Sequence, residues 1–255
     1  PVSLKLLARI HDQAYIDAIR TGHPRELANS PWEFGPQEFV WDEGLWPMVL
    51  RSNGGAVAAA ISALRTGTAG SLSSGLHHAR RARGAGCCTF NGLVLAAQAA
   101  LDAGARRILI LDLDAHCGDG TNELIGPFGE RVHHLDIAVY DNRYVPHPGH
   151  TLDILEDAAK YLPRLRQRLD ALPGPFDLCL YNAGMDPYEG CRFGGLAGIT
   201  ADLLAEREAA VFAWCRARGL PVAFVLAGGY AGKRLSEGLL VDLHRLTIAA
   251  AAETR

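Results

Sequence analysis

Between residues 112 and 121 the chain reads Asp112-Leu-Asp114-Ala-His116-Cys-Gly-Asp119-Gly-Thr121. On extended backbone alternate side chains share a face, so Asp112, Asp114 and His116 can project together. Carboxylates this close repel each other unless a cation or a proton lies between them. A carboxylate and an imidazole together suit Zn²⁺ or a similar divalent ion. The plainer alternative is a polar turn with capping aspartates. A third ligand is on offer in Asn182-Ala-Gly-Met-Asp186, where a glycine-bearing turn lets Asp186 point back over the sheet edge. Asp114, His116 and Asp186 would then form an Asp-His-Asp set with one position left for water and substrate, as in a catalytic site. Taken alone, Asp186 reads more readily as a turn or helix-cap aspartate.

Two further groups could work beside such a centre. In Gly75-Leu-His77-His78-Ala79, adjacent histidines can transfer protons if each is oriented by a carboxylate. Asp112 and Asp119 are available as orienters. The bland reading is a histidine pair at the surface or at a helix start. In Gly228-Gly229-Tyr230 the glycines permit a sharp turn, and the Tyr230 hydroxyl could donate to a developing oxyanion. A structural tyrosine fits that tripeptide as well. Cys117, beside His116, could be a ligand, a nucleophile or a filler; alternation turns it away from the Asp114–His116 face, which favours filler. The pair His133-His134 lies inside an apolar run and is assigned no chemistry.

These residues need elements to hold them. Buried apolar runs predict strands at 107–114, 132–139, 176–183 and 221–226, with a weaker one at 69–73. Helical patterns lie between them, at 55–65, 90–103, 152–172, 201–218 and 233–251. Strands that are apolar throughout and alternate with helices indicate an α/β fold with a parallel sheet covered on both faces. Ligands in such folds bind at the carboxyl ends of the strands, which is where the His, Asp and Tyr residues converge. The stretch 22–47, with four prolines and three tryptophans, is expected to be a long loop, either ordered at a site rim or loose at the surface. No linker divides the chain, so 1–255 is expected to be a single domain.

Composition bounds the remaining possibilities. The 255 residues carry 25 Lys+Arg against 28 Asp+Glu, a formal charge of −3, with 49% hydrophobic residues. That balance argues against a protein that coats nucleic acid, and the apolar content argues against disorder. The longest apolar candidate for a membrane span, around 239–252, is interrupted by Asp242, His244 and Arg245. No secretory segment opens the chain, and the six cysteines include no C-x-x-C pair, which suggests reduced thiols in a cytoplasmic protein. Arginine far outnumbers lysine (Lys5, Lys160 and Lys233), a weak pointer to a bacterial source.

Taken in order, His-His, Asp-x-Asp-x-His-x-Gly-x-Gly, Asn-Ala-Gly-x-Asp and Gly-Gly-Tyr resemble the zinc-dependent histone deacetylase superfamily, which includes acetoin-utilisation proteins and acetylpolyamine amidohydrolases. The likeness begins at His11-Asp-Gln-Ala-Tyr15. The segments 112–116, 181–186 and 189–196 look most like the class IV branch. The resemblance implies a central mostly parallel sheet of about eight strands flanked by helices, as in arginases and deacetylases. It implies one Zn²⁺ per chain on Asp114, His116 and Asp186, catalytic roles for His77, His78, Tyr230, Asp112 and Asp119, and a structural K⁺ beside Asp112 and the carbonyls of Asp114 and His116. It gives the Gly86 carbonyl the substrate's amide, and Cys87 a channel-wall position commonly held by Phe. The implied substrate is an acylated protein, peptide or polyamine, and the implied activity is deacylation; the alternative is an acyl-lysine binder with little turnover. Arginases place a second Asp where this chain has Gly118, which favours one metal over two. The family also has several dozen residues ahead of the segment matching His11, so an N-terminal segment is expected to be missing from this chain.

Overall fold

The computed structural model describes residues 1–29, 40–140 and 148–253. Among them the helices are α1 (Leu4–Ile10), α2 (Gln13–Thr21), α3 (Arg25–Ala28), α4 (Leu45–Thr66), α5 (Gly92–Asp102), α6 (Asp119–Ile125), α7 (Tyr161–Asp170), α8 (Ala201–Ala217) and α9 (Glu237–Ala252). The strands are β1 (Thr68–Ser71), β2 (Ile108–Asp112), β3 (Val132–Ala138), β4 (His150–Ile154), β5 (Leu178–Gly184) and β6 (Val222–Ala227). All pair in parallel, in the order β1-β6-β5-β2-β3-β4. The described residues thus hold six strands, where the resemblance implied about eight.

Every residue of β2 is buried, as a parallel strand covered on both faces must be. Its side chains alternate between two cores. Ile108 and Ile110 join the one formed with α1, α2, α4 and α5; Leu109, Leu111 and the following Leu113 join the one formed with α7, α8 and α9. Register then fixes the site. Asp112 pairs with Asn182 on one side and Asp136 on the other, so three polar residues occupy one row at the carboxyl end of the sheet.

Several boundaries differ from those the sequence suggested. The expected helix at 152–172 is strand β4 followed by α7. Pro163 lacks an N–H and suits only a first helical turn, where α7 places it; a helix from 152 would have put it in the interior. The helix expected from 55 begins at Leu45, so α3 and the start of α4 occupy parts of the presumed loop 22–47, while residues 30–39 lie outside the described residues. The last helix starts at Glu237 because Ser236 caps it, its hydroxyl accepting from Leu239 N at 3.2 Å. Helices α1, α2 and α6 had no counterpart in the sequence reading. No helix among the described residues is long and apolar enough to cross a membrane.

Candidate metal centre and active site

Three strand ends and one loop build the centre. Just past β2, Asp114 and His116 turn toward Asp186, which follows β5. His116 Nδ1 lies 2.9 Å from Asp186 Oδ2 and 3.2 Å from Asp114 Oδ1, and one donor atom from each residue falls within 4.8 Å of the others. All three residues are buried. Backbone amides steady the carboxylates: Ala115 N donates to Asp186 Oδ1 at 3.0 Å and His116 N to Asp114 Oδ1 at 2.9 Å. Gly228, past β6, closes the fourth side. Its φ is +57°, and a Cβ there would collide with Asp186 Oδ1 and stand 2.9 Å from Asp114 Oδ2. Glycine is required on both counts.

Charge makes the same case for a cation. Burial and the neighbouring Asp114 charge raise the Asp186 carboxyl to about 7. Burial works against the His116 imidazolium, yet the Asp114 and Asp186 carboxylates raise its pKa to about 10. One imidazole and two carboxylates are a donor set that zinc accepts.

The tandem histidines stand beside this cluster as the sequence suggested. His77 Nδ1 donates to Asp112 Oδ2 at 2.8 Å, and His78 Nδ1 to Asp119 Oδ1 at 2.7 Å. Their rings are 4.1 Å apart, and His77 Nε2 lies 3.8 Å from Asp114 Oδ1. Their environments differ. Burial disfavours the charge on His77, but Asp112 and Asp114 outweigh it and raise the pKa to about 10. Burial and the charge of His77 lower that of His78 against the pull of Asp119. Asp119 is also paired with Arg80, which binds Glu123 at 2.8 Å.

The loop that carries the histidines is pinned from below. The Asn91 side chain caps α5 by accepting from Val94 N at 3.0 Å, and it donates to His77 O (3.2 Å), Ala79 O (3.3 Å) and Thr121 Oγ1 (3.0 Å). Asn91 N donates to His11 Nε2 at 3.1 Å, so the proton of His11 is on Nδ1 and goes to Arg80 O at 2.9 Å. Burial keeps this imidazole neutral, with its pKa lowered to about 4.

Tyr230 meets His116 edge-on, with ring centroids 6.4 Å apart. Burial and the Asp114 and Asp186 charges push its phenol well above the usual range, so it remains a donor. Its backbone N is held by Cys191 Sγ at 3.2 Å. Gly86 has φ +52°, and a Cβ would stand 2.6 Å from His78 Cδ2; its carbonyl accepts from the Cys88 thiol at 3.4 Å. Cys87 is exposed at φ +61°. Cys117 packs against Ala138 and Leu152, the filler role expected of it.

Some neighbours escaped the sequence reading. Tyr140 stacks on His116, with centroids 5.6 Å apart and planes 16° from parallel. His134 was assigned no chemistry, but its Nε2 is 3.9 Å from Asp112 Oδ2 and 3.8 Å from Asp136 Oδ2, a second buried group able to hold an ion. The available signal was polar residues at the alternate positions 134 and 136, which share one face of the strand. At Gly118, where arginases were expected to differ, a Cβ would stand 2.8 Å from Asp112 Oδ2, so a side chain there would have to displace that carboxylate.

The family profile for the histone deacetylase domain matches residues 1–166. This chain belongs to the histone deacetylase family. It is 35% identical over 223 residues to an uncharacterized protein of Picosynechococcus sp., covering 84% of this chain and 72% of that one. Against histone deacetylase 2 of Arabidopsis thaliana the identity is 29%, covering 87% of this chain and 59% of that protein. For human histone deacetylase 1 it is 30%, covering 61% and 33%. The chain thus spans little more than half of one named deacetylase and a third of the other. Among solved structures, an acetylpolyamine aminohydrolase from Burkholderia pseudomallei superposes with a TM-score of 0.77 at 20% identity, over 99% of this chain and 84% of that one. A histone deacetylase homologue from Aquifex aeolicus gives 0.79 at 18% identity, over 100% and 71%. These two likenesses establish the deacetylase-like fold.

Proposed function

We propose that this protein is a zinc-dependent hydrolase that cleaves the amide of an N-acylated amine, with an acyl-lysine side chain as the leading substrate class. The observation that carries the reading is the buried Asp114–His116–Asp186 cluster with two carboxylate-oriented histidines beside it. Asp114, His116 and Asp186 would hold the zinc, which when bound polarises a carbonyl and acidifies a water. His78 is the neutral member of the pair. With its Nδ1 proton engaged by Asp119, its Nε2 is bare and can take the water's proton, then return it to the departing amine. His77, oriented by its hydrogen bond to Asp112 and with Nε2 3.8 Å from Asp114, would hold the water or the developing oxyanion by a hydrogen bond. The Tyr230 hydroxyl, beside His116, would donate to the oxyanion. The Gly86 carbonyl would accept the substrate's amide N–H. Cys87, smaller than a phenylalanine at the channel wall, leaves room for acyl groups larger than acetyl. A structural potassium would sit beside Asp112, where Asp136 adds a second buried carboxylate.

The test is metal content and turnover measured on one sample, with acetyl- to long-chain acyl-lysine peptides and acetylated polyamines as substrates. About one zinc per chain is expected, with chelator-sensitive turnover. Zinc without turnover on any substrate would favour a metal-bearing acyl-lysine binder. A folded, zinc-supplemented sample with neither would overturn the reading.

A further inference from the structure

Arg207 and Glu208 lie on α8, fully buried beneath the sheet. Their charges are paired, with Arg207 Nη2 2.6 Å and Nε 2.8 Å from Glu208 Oε1. Tyr181, on β5, donates its hydroxyl to the same oxygen at 2.7 Å. The rest of the guanidinium points at the metal centre's supports. Nη1 donates to Leu113 O at 3.3 Å and is 3.4 Å from the Tyr161 hydroxyl, while Nη2 lies 3.7 Å from Met185 Sδ. Leu113 immediately precedes Asp114, and Met185 immediately precedes Asp186. A single rigid fork therefore ties together the two chain segments that supply the carboxylate ligands.

Stability gives a poor account of this pair. Burying two charges costs desolvation that their attraction barely offsets, and apolar residues of similar size often serve a fold as well or better. What a guanidinium adds is direction, because its donors are fixed in one plane and can hold several acceptors at set angles. Hydrogen-bonding partners behind metal ligands set ligand orientation and affinity in this way.

We propose that Arg207, anchored by Glu208, is a positioning residue that sets the spacing of Asp114 and Asp186 for the metal. The proposal rests on the zinc-hydrolase reading above. It is tested in the full chain with Arg207→Lys, which keeps the charge but not the fork, and with Arg207→Met/Glu208→Gln, which removes both charges together so that neither is left buried alone. Thermal unfolding of the metal-free proteins establishes folding, and competition with a chromophoric chelator gives the zinc dissociation constant. Zinc affinity should fall roughly 10- to 100-fold in the double variant. At saturating zinc, kcat should fall with little change in KM, and the lysine variant should recover only part of the loss. A folded double variant with wild-type zinc affinity would overturn the proposal, whatever its melting temperature. If neither Arg207 variant folds, Tyr161→Phe, which removes one partner and keeps both charges, carries the test: several-fold weaker zinc supports the tie and an unchanged constant refutes it. A wild-type protein that binds no zinc overturns the underlying reading, and this proposal with it.

Discussion

Tyr230 and Asp114 stand at one centre with different duties, and single substitutions should separate them. Tyr230→Phe should keep zinc and lose about 10²- to 10³-fold in kcat, since a single oxyanion donor accounts for that much elsewhere; chelator titration beside steady-state kinetics checks both halves. Asp114→Ala should abolish zinc binding outright. His11 gives a pH prediction. Its folded pKa of about 4 lies below the 6.5 of an exposed imidazole, so between those values the unfolded chain binds more protons. Its contribution to stability is therefore complete above about pH 6.5 and falls away as the pH drops toward 4. Denaturant unfolding from pH 4.5 to 7 should show a shallower pH slope in His11→Asn than in the wild type. Some slope should survive, because burial and the His134 charge lower His133 in the same direction.

At the scale of elements, Asn91 joins a helix start to the histidine loop. Asn91→Asp keeps an acceptor for Val94 N but loses the donors to His77 O, Ala79 O and Thr121. Asn91→Ala loses the cap as well. Alanine should cost about 1 kcal/mol for the cap, and aspartate more, because its carboxylate would be buried against the His77 and Ala79 carbonyls, while both lower turnover; paired melts and assays read the two effects apart. The sequence displayed the candidate ligand residues because they fall in short runs with a period of two at strand ends. It displayed Arg207 and Glu208 poorly, because charges in a helical run are ordinarily solvated. Their signal was position: Leu204 and Val211 lie three or four residues away on the same stripe of α8, and both are buried. Boundaries were hardest where one residue decides them, as Pro163 does for α7 and Ser236 for α9.

For the whole molecule, the clustered carboxylates make stability depend on metal. An ion that binds only the folded chain adds about 4 kcal/mol at a thousandfold excess over its dissociation constant. For a domain of this size, that amounts to roughly 10 °C in melting temperature. Calorimetry with and without chelator should show the drop; identical melts would mean that no ion occupies the cluster. The row at the end of the sheet carries a different consequence. Asp112 faces the histidine side and Leu113 faces the α8 side, so successive residues of one strand serve opposite layers. Adding or removing a single residue within β2 would invert this reading frame, turning Asp112 toward α8 and Leu113 toward His77. Indels there should therefore be less tolerable than most substitutions, because a shift of one position would dismantle both supports of the centre together.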